Sequence, residues 1–125
     1  MGRIKDYLKV NGSSYWALFD SGAINTYITP EVAKNLTKEK LPEPRKISLG
    51  GKRHELTHRA FLNAKIKDKD VSTEALVMDK IGRDETGKEI QILFGALAME
   101  KWNIKLDMRS KRLDMTHYPK EFVEF

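Results

Sequence analysis

Ala17-Leu18-Phe19-Asp20-Ser21-Gly22-Ala23 is the stretch on which the reading of this chain turns. Three apolar residues lead into one carboxylate. A lone carboxylate beside apolar neighbours is expensive to bury, so Asp20 is a candidate functional group. Ser21 sets a hydroxyl next to it, and Gly22 and Ala23 let another backbone approach closely. Taken alone, the same letters also spell a tight Asp-Ser-Gly turn, because all three residues form turns readily. Working backward, Tyr15 to Phe19 reads as a strand. Asn11-Gly12 is a strong two-residue turn signal that folds it onto Tyr7-Leu8-Lys9-Val10, so Ile4 to Phe19 is predicted to be a hairpin.

Working forward, Thr29-Pro30-Glu31 predicts a short helix running to Leu36, with Thr29 as cap and Pro30 at the first helical position. Lys38 to Pro44, with Pro42 and Pro44, reads as a connector. Arg45 to Leu49 is a predicted strand and Gly50-Gly51 a turn. From Leu56 to Ile66 the parities separate into Leu56, His58, Ala60, Leu62, Ala64, Ile66 and Thr57, Arg59, Phe61, Asn63, Lys65, the pattern of a half-buried strand. Val71 to Met78 is a further strand, and Gly82 to Lys88 a polar loop. Ile90 to Phe94 is a buried strand ending at Gly95, Ala96 to Trp102 a short helix, and Ile104 to Met115 a closing hairpin.

The chain has 125 residues, 40% hydrophobic and 33% charged, which bounds it to one globular domain with one modest core. That domain is expected over 1–116. The tail 117–125, with Phe122, Val123 and Phe125 among charges, is expected either as an interface strand or as a disordered end. The absence of Cys excludes a disulfide framework, an iron–sulfur site, a thiolate zinc site and a Cys nucleophile. The net charge of +5 comes from interspersed residues of both signs, and the Lys-rich stretches at Lys34 to Lys40 and Lys65 to Lys69 carry no interleaved aromatics, so no nucleic-acid partner is expected. No apolar run approaches the roughly 18–20 residues of a membrane span. Met1 to Asp6 has no apolar leader, and a cytoplasmic protein without membrane partners is expected.

Ala17 to Ala23 is followed much later by Leu93-Phe94-Gly95 and the helix from Ala96 to Trp102. In that order the two motifs resemble the retropepsin-like aspartic proteases. Thr29 to Leu36 resembles the family's short helical segment. Ile47 to Leu56 around Gly50-Gly51 resembles its flap hairpin, and Ile104 to Leu113 its closing hairpin. Ala96-Leu97-Ala98 departs from the Asp-Trp/Phe-Leu that many relatives carry after the glycine, which puts local contacts there in question. The resemblance implies an all-β fold: a closed, mostly antiparallel barrel with a flap hairpin and one or two short helices. It implies Asp20 as the catalytic residue, supported by Ser21, Gly22 and Ala23. It also implies a flap tip at Leu49, Gly50, Gly51 and Lys52, and packing beneath the site by Leu93, Phe94 and Gly95. Such enzymes use two carboxylates that share a proton. The chain offers one Asp-Ser-Gly, and its nearest other candidate, Glu85-Thr86-Gly87, lies in a polar loop. The resemblance therefore implies a two-fold homodimer with Asp20 and its copy on the axis, acting as an endopeptidase on a peptide or protein with no metal or cofactor. It also implies that Ser21 hydrogen-bonds across that dimer.

One motif competes. His54-Glu55-Leu56-Thr57-His58 spells the H-E-x-x-H pattern of zinc metalloproteases. On a helix both imidazoles would bind zinc with Glu55 as general base, and a third ligand would have to come from Glu74, Glu85, Glu89 or His117. The context weighs against it: Gly50-Gly51 lies just upstream, and on a strand the two imidazoles would stand roughly 13 Å apart. A second alternative is a retropepsin-like fold that binds a peptide or partner without cutting it.

Overall fold

A computed structural model describes residues 2–124, so Met1 and the last tail residue, Phe125, lie outside the described residues. The chain is all-β with two short helices. Its strands are β1 (Arg3–Val10), β2 (Ser13–Asp20), β3 (Tyr27–Ile28), β4 (Lys38–Leu49), β5 (Lys52–Ile66), β6 (Lys69–Val77), β7 (Gly82–Arg83), β8 (Glu89–Ile90), β9 (Ile92–Phe94), β10 (Lys105–Asp107) and β11 (Arg112–Asp114). The helices are α1 (Pro30–Ala33) and α2 (Ala96–Lys101). Seven strands form one sheet in the order β1-β2-β9-β3-β6-β5-β4, and the sheet curls until β1 meets β5 at one pair, Lys9 with Lys65.

The expected hairpin at Asn11-Gly12 forms, and its two-residue turn fixes the register from Val10↔Ser13 out to Arg3↔Asp20. The parity read over Leu56 to Ile66 also holds. Leu56, Ala60, Leu62, Ala64 and Ile66 are buried, with His58 half-buried in the same row. Phe61 stays 58% exposed on the opposite row.

Three expectations need correction. Lys38 to Pro44 is not a connector but the first part of β4. Pairing with β5 jumps from Lys40↔His58 to Arg45↔Leu56, and the prolines occupy that irregularity. Proline is tolerated there because β4 is an edge strand and the bulge needs no ladder donor. Leu41, between the charges, is buried. The helix predicted to Leu36 ends at Ala33, and Thr29 does not cap it. Its hydroxyl instead donates to the Gln91 side chain at 2.9 Å. The loop from Gly82 to Lys88 contains β7, which pairs with β8.

Apolar side chains gather on both sides of the sheet. The larger cluster holds Phe19, Ile28, Leu62, Ile92 and Phe94, and the second holds Leu18, Tyr27, Leu41, Leu56, Leu76 and Leu93. Strands β2 and β9 are covered on both faces. That explains why each reads as a continuous apolar run rather than an alternation. The tail beyond β11 contains no strand among the described residues. It returns to the domain, where Tyr118 stacks on Trp102 at 5.8 Å and its hydroxyl donates to the Asp70 carbonyl.

Candidate active site

The two motifs that stood apart in the sequence lie side by side in the fold. β2 and β9 pair in parallel with Ala17↔Ile92, Leu18↔Leu93 and Phe19↔Phe94. The Phe19 and Phe94 rings meet at 5.2 Å, both fully buried, and each contributes about 2–3 kcal/mol from burial of its apolar area. The chain leaves this paired core as Asp20 on one strand and Gly95 on the other.

The loop after Asp20 is fastened to the segment after Phe94. The Ala96 amide donates to the Ala23 carbonyl at 2.7 Å, and the Leu97 amide to that of Ile24 at 3.2 Å. The Gly95 amide donates to the Thr26 hydroxyl at 3.1 Å, a buried contact. A Cβ on Gly95 would stand 2.1 Å from the Asn25 carbonyl oxygen. Only glycine permits that approach, so the predicted close packing at this position has a specific partner.

Asp20 ends β2 with 6% of its surface exposed. One carboxylate oxygen accepts the Gly22 amide at 2.8 Å, and the other accepts the Arg3 guanidinium at 3.2 Å. The Arg3 side chain is 71% exposed. Sequence reasoning missed Arg3, although counting outward from the Asn11-Gly12 turn puts it opposite Asp20. It also missed the buried Thr26, for which the sequence carries no local signal. Ser21 faces out of the cleft in this single chain. Its hydroxyl accepts the Gly2 amide at 2.9 Å, and its own amide donates to the Gly2 carbonyl.

Asp20, Gly22, Ala23 and Tyr27 share a cleft of about 490 Å³ with Ser48, Leu49 and Gly50 at the tip of the β4–β5 hairpin. Of the residues expected at that tip, Leu49 and Gly50 line the cleft, and Gly51 and Lys52 do not. Gly50 and Gly51 have φ of +56° and +80°, the left-handed pair that a tight two-residue turn between Leu49 and Lys52 requires. Leu93 and Phe94 are buried beneath the site rather than exposed in it. Asp20 is the one carboxylate of the cleft lining. A single chain therefore presents one acid–base group under a hairpin tip.

His54-Glu55-Leu56-Thr57-His58 lies within β5, not on a helix. Leu56 joins the core, and the two imidazoles belong to a strand row with a residue between them, too far apart to share an ion. Among the described residues no three metal-ligating side chains cluster. Glu85-Thr86-Gly87 sits away from the cleft, where the Thr86 hydroxyl and amide both bond to Asp84 and Glu85 pairs with Lys5.

The fold matches solved structures. The retroviral protease-like domain of Ddi1 from Leishmania major aligns with a TM-score of 0.65 and 14% identity, over 94% of this chain and 90% of that one. The EIAV protease, solved with the inhibitor HBY-793, aligns with a TM-score of 0.62 and 18% identity, over 86% of this chain and 94% of that one. No curated protein matches the sequence. The aspartyl protease family matches residues 7–97, a span that runs from β1 through both motif strands into α2, and the chain belongs to that family in its retropepsin-like form.

Proposed function

We propose that this protein is an aspartic endopeptidase that works as a two-fold homodimer. The observation that carries the reading is the placement of Asp20: a buried carboxylate, the one acid of a cleft covered by a hairpin tip, in a chain of the aspartyl protease family. The chemistry needs a second carboxylate, and a second copy supplies it.

In the dimer the two Asp20 side chains hold a water between them. The ionised one takes a proton from that water, which attacks the scissile carbonyl carbon. The protonated one donates to the carbonyl oxygen, and the tetrahedral intermediate collapses as the leaving nitrogen is protonated. No metal and no covalent intermediate take part. Arg3 occupies one Asp20 oxygen in the single chain, so it must swing away as the second carboxylate arrives. Its largely exposed side chain leaves it free to do so. The curled sheet serves as the barrel of each protomer, and the Leu49-Gly50-Gly51-Lys52 tip as its flap. An extended peptide lies beneath two flaps and pairs with their backbone edges.

The test is cleavage of a diverse peptide mixture by wild type, Asp20→Asn and Glu55→Gln. Asp20→Asn should lower the rate by about 10²–10⁴-fold, the usual worth of a positioned acid–base group, and Glu55→Gln should cut as wild type does. Retained cleavage by folded Asp20→Asn would overturn the reading. Binding of peptides without cleavage by any of the three would assign the fold to a binding module.

A further inference from the structure

The hairpin above the cleft is strongly and one-sidedly charged. Between Arg45 and Leu56 it carries Arg45, Lys46, Lys52 and Arg53 against one carboxylate, Glu55. Elsewhere cations are used in folding: Lys5, Lys34, Arg59 and Lys65 each pair with a carboxylate. None of the four hairpin cations takes part in any ion pair among the described residues. The register places Glu55 opposite Lys46, and leaves Arg45, Lys52 and Arg53 opposite Leu56, Leu49 and Ser48. Only Lys46 has an oppositely charged cross-strand neighbour, and Arg45, Lys52 and Arg53 have none, so their charge is left to solvent or to a ligand.

Where the hairpin meets the cleft its one apolar side chain is Leu49, beside Ser48 and Gly50. Ile47 and Leu49 are half-buried and pack on the second core cluster. Lys46 and Arg53 border a shallow recess with Ile47 and the single carboxylate Glu55, and Arg53 continues with Lys38 along a groove beside β5 that also holds Glu55 and Asp79. An extended peptide under this hairpin meets Leu49 in the cleft and lies beside a hairpin with four cations against one carboxylate.

Resting on the aspartic protease reading, we propose that the site selects extended polypeptides with apolar residues at the scissile bond and Asp or Glu side chains flanking them. Two flaps in a dimer double the charge. Within a Debye length of about 8 Å the cations attract a flanking carboxylate, raising substrate capture and lowering KM. A nucleic acid is the poorer fit, because residues 45–56 contain no Phe, Tyr or Trp on which a base would stack.

The experiment uses two peptides with one apolar core, flanked by Glu in one and by Gln in the other. Wild type should cut the Glu peptide about 10-fold better in kcat/KM, mostly through KM, and the preference should shrink as salt rises. In the double variant Lys46→Glu, Arg53→Glu, shown to be folded by circular dichroism, the Glu-to-Gln ratio should fall to one or below. Equal kcat/KM for the two peptides at low salt, or an unchanged ratio in the variant, overturns the proposal. Peptide binding to Asp20→Asn separates the two readings. If wild type cuts neither peptide, the protease reading fails by itself, while preferential binding of the Glu peptide still supports this one and equal binding overturns it. Displacement of the Glu peptide by a single-stranded oligonucleotide that binds more tightly also overturns it, in favour of a nucleic-acid surface.

Discussion

At the scale of single residues, Asp84 shows how one carboxylate organises a loop. It accepts the Thr86 hydroxyl, the Thr86 and Lys88 amides and the Trp16 indole N–H. The Thr86 hydroxyl does most to hold its pKa far below the ordinary carboxylate value of 3.8, and the Lys88 amide and Trp16 indole help. Because the folded value is depressed, the unfolded chain binds more protons in acid. The stabilisation from Asp84 is complete above its unfolded pKa and fades as the pH drops below about 4. Asp84→Asn should therefore be less stable than wild type near neutrality, with the gap closing in acid. Urea unfolding of both chains across that range checks it, and a gap independent of pH would remove Asp84 from the acid limb. Residues differ in how legible they were. Asp20 stood out because an apolar run led into a charge. Arg3 was missed, although the hairpin register puts it opposite Asp20. Thr26 could not be read, because its role depends on the Gly95 amide brought in from a distant strand.

At the scale of elements, Gly95 decides whether the Asp20 loop keeps its shape. Gly95→Ala forces a Cβ to 2.1 Å from one backbone oxygen and 2.9 Å from another, and backbone atoms cannot yield as a side-chain tip can. The cost should be about 3 kcal/mol or more, seen as a large fall in thermal midpoint with cleavage impaired as well. A change below about 1 kcal/mol would mean that the two segments separate easily. Elements with a repeating pattern were legible: β5 revealed its buried row through simple alternation. Elements whose fate depends on neighbours were not. Prolines at Pro42 and Pro44 argued against a strand, yet an edge position with a bulge accepts them. His54-Glu55-Leu56-Thr57-His58 spelled a helix motif, but pairing of that segment with β4 overrides local spelling.

At the scale of the whole molecule, the proposed sharing of a site between two chains would make assembly part of the chemistry. Exposed apolar side chains flank the Asp20 loop, with Ile24 67% and Leu97 57% exposed, and a second copy would cover them. Specific activity should fall on dilution through the dimer dissociation constant, as measured by sedimentation. Constant specific activity well below that constant would refute the shared site. The all-β class and the order of the motifs were legible because turns and apolar runs are local. The parallel contacts of β2 with β9 and β3 with β6 were not, since no local signal says which distant strands become neighbours.

The β2–β9 contact also has a temporal meaning. Residues 17–19 wait for residues 92–94 before the Asp20 loop can set, so the contact order of this site is high and its formation is late. A chain still emerging from the ribosome carries Asp20 on an unfinished sheet, with no Gly95 segment to hold its loop. On the proposed reading, no cleavage begins before residues 92–97 have been made and have docked beside the Asp20 loop.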